Sequence, residues 1–168
     1  MKVNVGAFIL VGGLLWWLMR QSGRVDIGTP TISSLRLDGG GVRINLRLPI
    51  INRSNIAVPI QGFLGVLLYN GSQIGTTTLV SPTTVQPRAV SDPEFSTFVS
   101  IASVLTSTPL LSLLNSLAQK YLGVSIPGIP ANTPTDGASL QKYMSGLRMR
   151  GTLYAAGLAL DIDEQLTA

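Results

Sequence analysis

The densest group of ionisable side chains in the sequence is Asp161, Asp163 and Glu164. On a strand the first two share a face at about 7 Å, a spacing at which carboxylates can begin to hold a hard cation. Ca²⁺, however, takes about six to eight oxygen ligands, more than this group supplies. The plainer reading is an edge strand whose acids discourage pairing with another chain. Asp92 and Glu94 flank Pro93 in a turn and offer less. The chain has neither cysteine nor histidine. That removes disulfides, thiolate and imidazole metal sites, and the Ser-His and Cys-His arrangements of nucleophilic catalysis. The sequence therefore nominates no catalytic, cofactor-binding or metal-ligating residue, and the expectation is a protein that is not an enzyme.

Charge narrows the class of partner. The formal net charge of the 168 residues is +4, from twelve basic and eight acidic side chains. Three of the basic ones, Lys2, Arg20 and Arg24, flank the hydrophobic N-terminal segment, so residues 25–168 carry nine against eight, a net +1. Nucleic-acid binding leaves a clustered basic footprint. Here the nearest equivalents are Arg43 with Arg47 and Arg148 with Arg150, each spaced as on the solvated face of a strand. No nucleic-acid partner is expected.

From Val5 to Met19 every residue is apolar or glycine: Val5, Phe8, Ile9, Leu10, Val11, Leu14, Leu15, Trp16, Trp17, Leu18 and Met19, with Ala7 and glycines at 6, 12 and 13. As a helix, the stretch from Val3 to Met19 would reach roughly 25 Å, a little short of the hydrocarbon thickness of about 30 Å. Trp16 and Trp17 suit the headgroup boundary, and Lys2, Arg20 and Arg24 are long enough to place their charges in it. A secretory signal would end in a small-x-small cleavage site, which the residues around Met19, Arg20 and Gln21 do not form. The expectation is a retained single-pass anchor and juxtamembrane linker over residues 1–24, with a cleaved signal or a helix buried in a partner protein as alternatives. Basic residues stand on both sides, so charge counting leaves the orientation undetermined.

The remaining residues, 25–168, read as one mainly β domain. Val42, Ile44, Leu46, Leu48 and Ile50 alternate with polar residues or proline, the period of a half-buried strand. A weaker strand over 31–38 precedes it across Gly39, Gly40 and Gly41. These glycines lack the spacing and following helix of a phosphate-binding loop. Asn52 to Asn55 is a turn by composition; an extended run follows from Ile56 to Tyr69. Asn70-Gly71 then closes a type I′ hairpin into 73–80, because both residues accept positive φ. Asn52-Arg53-Ser54 and Asn70-Gly71-Ser72 also fit the N-glycosylation pattern, although turn chemistry already explains them. A strand is predicted over 95–105, and then Leu110, Leu113, Leu114, Leu117 and Tyr121 recur at helical spacing, with Thr108 as N-cap, Pro109 in the first turn and Gly123 at the end. Leu111, Ala118 and Leu122 widen that helix's apolar stripe, and Leu111, Leu114 and Leu122 are the candidate partner or lipid contacts. Prolines and glycines over 123–139 predict a surface loop, and strands over 140–154 and 156–166 close the chain.

Two segments carry a family resemblance. Val58-Pro59-Ile60 with Val66-Leu67-Leu68-Tyr69-Asn70-Gly71-Ser72-Gln73-Ile74-Gly75, and later Leu147-Arg148-Met149-Arg150-Gly151-Thr152-Leu153 with Leu158-Ala159-Leu160-Asp161-Ile162, resemble the late embryogenesis abundant group-two family, also called the water-stress and hypersensitive-response domain. The family's Asn-Pro-Asn turn is replaced here by Asn52-Arg53-Ser54-Asn55. The resemblance implies an immunoglobulin or fibronectin type III-like β-sandwich with one packed amphipathic helix, no agreed catalytic residues, and roles in stress protection, membrane-associated interaction or lipid handling. The functional expectation is a membrane-anchored structural or interaction subunit, with the lipid bilayer and assembly proteins as partners, in an envelope complex or a membrane-containing virion. A desiccation-protection module and a lipid-transfer domain are the alternatives.

Overall fold

The computed structural model describes residues 25–105, 107–126 and 137–167. The anchor expected over residues 1–24 lies outside the described residues, as does most of the proline-glycine loop. Among the described residues no helix is long and apolar enough to cross a membrane.

The domain is mainly β and its strands pair antiparallel. Its elements are β1 (Val25–Ile27), β2 (Thr31–Asp38), β3 (Gly41–Arg47), β4 (Ile50–Asn52), β5 (Val58–Tyr69), β6 (Ser72–Leu79), β7 (Thr83–Val85), β8 (Ala89–Ser91), β9 (Glu94–Ser100), α1 (Ile101–Val104), α2 (Thr108–Leu122), α3 (Gly137–Met144), β10 (Leu147–Ala155) and β11 (Leu158–Gln165). The large sheet runs β11-β10-β5-β6-β9-β3-β2, with β7 added beside β5, and a small sheet runs β1-β4-β8. The edges of the large sheet meet at one parallel bridge, Thr31 with Thr167, where the Thr167 N–H donates to the Pro30 carbonyl at 3.2 Å. The sheet must therefore curl round on itself, which hides part of both edges that an open sheet would expose.

The alternation from Val42 to Ile50 is real, but it spans two strands rather than one. Pro49 cannot donate to a ladder, and the chain leaves the large sheet there and enters the small one. The crossing is pinned by the Gly28 N–H on the Pro49 carbonyl at 2.7 Å and the Leu48 N–H on the Pro93 carbonyl at 3.3 Å. The Asn70-Gly71 turn forms as expected, with φ of 49° and 83°.

Three helices are described where one was expected. The predicted strand over 95–105 ends at Ser100, opposite Gly41, where β3 has no further residues to pair. The chain turns helical there, with the Ile101 N–H held by the Gly40 carbonyl at 3.1 Å and Val104 buried. The first five residues of the predicted strand over 140–154 belong to α3 instead, which also takes in residues 137–139 of the predicted loop. Leu140 and Met144, four apart, are both buried, the spacing of one face of a helix. The helix α2 keeps its expected range, with Pro109 in the first turn and Gly123 left-handed at φ 69°, its N–H on the Gln119 carbonyl. Its cap position is Ser107 rather than Thr108.

One core joins the two sheets and the helices. Phe63 and Phe95 meet edge to face at 5.1 Å and 82°. Gly65 and Gly151 are paired across β5 and β10 beneath the Phe63 ring, where an added Cβ on Gly65 would sit 2.5 Å from that ring. Leu110, Leu113, Leu114, Leu117 and Ala118 bury the inner stripe of α2, which packs on β2 and donates the Tyr121 hydroxyl to the Ile32 carbonyl at 3.1 Å.

Candidate functional site

The most constructed polar site is at the end of the domain where the small sheet lies. Asn52, the last residue of β4, is 1% exposed. Its Nδ2 donates to the carbonyls of Ile56 at 2.7 Å, Gln86 at 3.1 Å and Val85 at 3.2 Å. Its Oδ1 accepts from the Ser54 N–H at 3.0 Å and the Ser54 hydroxyl at 2.6 Å. The Ile56 N–H in turn donates to Ser54 Oγ at 3.2 Å. One amide thus ties the last residue of β7 to buried backbone groups of two loops, 53–57 and 86–88, that have no ladder of their own. The loops are tied again by the Arg88 N–H on the Ser54 carbonyl at 3.1 Å and by Arg88 Nε on Asn55 Oδ1 at 2.9 Å. Glycosylation at Asn52 does not fit this arrangement, since its nitrogen is enclosed and already committed.

What this hub holds outward is apolar and basic. Ile56 is 54% exposed and Val90 60% exposed, both large values for aliphatic side chains. Ile51 and Val90 are direct partners across β4 and β8. A surface cleft of about 210 Å³ is lined by Ile51, Asn52, Arg53, Arg88, Ala89 and Val90. Arg53 pairs with Asp26 of β1 at 3.1 Å, and both remain substantially exposed. The described chain also enters here, for Val25 is 4% exposed and in register with Asn52.

The residues singled out in the sequence are scattered by comparison. Leu114 is 1% exposed and belongs to the core, so it is corrected from a candidate contact to a packing residue. Leu111 and Leu122 are partly buried against the same core. Asp161 and Asp163 lie exposed on β11, where Asp163 pairs with Arg148 and Asp161 accepts from the Thr152 hydroxyl at 3.4 Å. Among the described residues no group of three or more acidic side chains could hold a metal ion. Arg43 is likewise engaged: it forks onto Asp38 at 2.8 and 2.9 Å and lies 5.8 Å over the Phe98 ring.

Two other surfaces are open. A cleft of about 610 Å³ lies across the polar outer faces of β2, β3, β6 and β9, with Arg36, Arg43, Asn45 and Ser96 in its lining. A smaller one, about 340 Å³, lies between the Gly39-Gly40 turn, Ile101 and Ile126 at the other end of β2. Burial raises the pKa values of Tyr69 and Tyr121 above the usual 10.0, and Tyr143 adds to the shift at Tyr69. Both phenols are therefore neutral, structural groups at physiological pH.

Sequence reading identifies Asn52 as a turn residue but not as a hub, because two of its three carbonyl partners, Val85 and Gln86, are more than thirty residues away. It reads Ile56 as the start of an extended run and passes over Val90, whose three-residue strand is too short to carry a periodic signal. No protein-family model and no curated protein matches the chain. A solved structure described as a crystal structure of a protein from Archaeoglobus fulgidus is similar at 12% identity and a TM-score of 0.43, over 86% of this chain and 94% of that one.

Proposed function

We propose that the chain is a non-enzymatic, single-pass membrane-anchored β-sandwich of immunoglobulin or fibronectin type III-like design, acting as a structural or interaction subunit of a membrane-associated assembly. The observation that carries the reading is the shortness of the connection between the apolar stretch and the folded domain. Val5 to Met19 is followed by only five residues before Val25, which is already buried and paired with Asn52. Six residue steps span at most about 20 Å. With Val5 to Met19 in hydrocarbon, such a link holds the small-sheet end of the domain close to the bilayer and turns its other surfaces outward.

The relation to the late embryogenesis abundant group-two family stays part of this proposal. Its support is that the two resembling segments fold as neighbouring hairpins, β5-β6 and β10-β11, joined through the β5-β10 ladder. Carbonate extraction of native membranes tests the anchor: retention in the pellet is expected, and release of the intact chain would refute it. Crosslinking in those membranes should capture a stoichiometric protein partner. An uncrosslinked monomer that protects a client enzyme from drying would favour the desiccation role instead.

A further inference from the structure

We infer that the Asn52 tip is a lipid-docking surface. On this inference Ile56 and Val90 enter the phospholipid headgroup layer, and Arg53 and Arg88 lie at the level of the phosphates. The inference rests on the anchored reading and adds to it a second, independent contact with the bilayer.

Four observations converge on lipid as the occupant. First, the described chain begins at this tip, so the bilayer proposed for residues 5–19 can be no further than the short link allows. Second, Ile56 stands out of a loop that the Asn52 amide holds in place and Val90 out of β8, which is paired with β4, so little ordering is lost when they enter a boundary layer. Third, the flanking charges are guanidinium groups, whose planar forks match phosphate oxygens. Fourth, Arg88 reaches Asn55 through Nε alone, and Arg53 shares its charge only with a half-exposed Asp26. Both guanidinium groups therefore keep donors for a phosphate. An apolar point with basic neighbours is the usual form of an interfacial contact.

The chain contains no cysteine, which makes the test direct. Single variants Ile56→Cys, Val90→Cys and, as a control on the β5-β6 hairpin, Gln73→Cys are labelled with an environment-sensitive dye. The full-length protein is then reconstituted in vesicles of phosphatidylcholine and phosphatidylglycerol, with and without brominated acyl chains. Ile56 contributes only backbone groups to the Asn52 network, so its replacement leaves the hub intact. The expected result is a blue-shifted emission at 56 and 90, quenched by brominated lipid at least about threefold more than at 73. Arg53→Gln with Arg88→Gln should reduce that difference.

Equal quenching at all three sites would overturn the inference, and carbonate retention of the same samples would leave the anchored reading standing. Chain released by carbonate but still quenched at 56 and 90 would refute the anchor and keep the tip contact. A blue shift without quenching by brominated lipid would mean that a second copy of the chain covers the tip, and would overturn the lipid assignment.

Discussion

The two ends of the domain are held together by opposite means. At the small-sheet end, loops 53–57 and 86–88 and the last residue of β7 converge on one buried amide, Asn52, which bonds the carbonyls of Ile56, Val85 and Gln86. On the side of α2, order comes from a stripe of leucines pressed on the sheet, fastened by the Tyr121 hydroxyl on the Ile32 carbonyl and the Ile126 N–H on Asn115 Oδ1 at 3.0 Å. Irregular backbone cannot be fixed by apolar contact alone, because its peptide groups still need partners once they leave water. A helix satisfies its own peptides and needs only a surface on which to bury one face.

The contrast breaks most visibly in the helix layer. Leu113→Ala empties a fully buried site and should lower the unfolding free energy by about 4 kcal/mol, read by circular dichroism in a denaturant titration. Tryptophan emission would be a poor monitor, since both tryptophans, Trp16 and Trp17, lie in the leader.

Asn52→Ala should come next, at about 2–3 kcal/mol, because it strips a donor from three carbonyls at once. Amide exchange distinguishes it from the helix variant: fast exchange should appear first in 53–57 and 85–88, whereas Leu113→Ala should act on the whole domain. Uniform exchange in both variants would erase the distinction between the two ends.

Leu111→Ser and Leu122→Ser sharpen the same comparison on the half-buried flank of α2. Each should cost about 1–2 kcal/mol of stability through lost burial. Loss of a partner crosslink with stability unchanged would instead return these two residues to a contact surface.

The smallest effect is expected at the β10-β11 turn. Ala156 takes a left-handed φ of 51° there, as Asn70 does at 49° in the β5-β6 turn. Asparagine tolerates that region better than alanine, so Ala156→Asn should stabilise the domain by up to about 1 kcal/mol in the same titration.

Much of the fold was legible because it is written in near neighbours. The alternation of Val42, Ile44 and Leu46, the Asn70-Gly71 turn and the leucine spacing of α2 each depend on residues a few positions apart. The errors fall where two periods compete or where a partner strand runs out. The 140–144 segment follows helical spacing within a stretch that reads as a strand, and β9 stops because β3 has nothing left to pair. The same limit applies to the site: Arg53 and Arg88 were visible as charges, but nothing local places them beside one cleft.

By itself the sequence determined the mainly β character, the helix over 108–122, the near-neutral domain and, through the absence of cysteine and histidine, the removal of thiol and imidazole chemistry. Tertiary structure alone decided that Leu114 is core while Ile56 and Val90 stand in the open, that Pro49 carries the chain between sheets, and that Asn52 binds carbonyls thirty-three and thirty-four residues away. Short-range conformational preference acts between residues close in sequence, whereas burial and hydrogen-bond partnership are settled only when distant segments pack against each other.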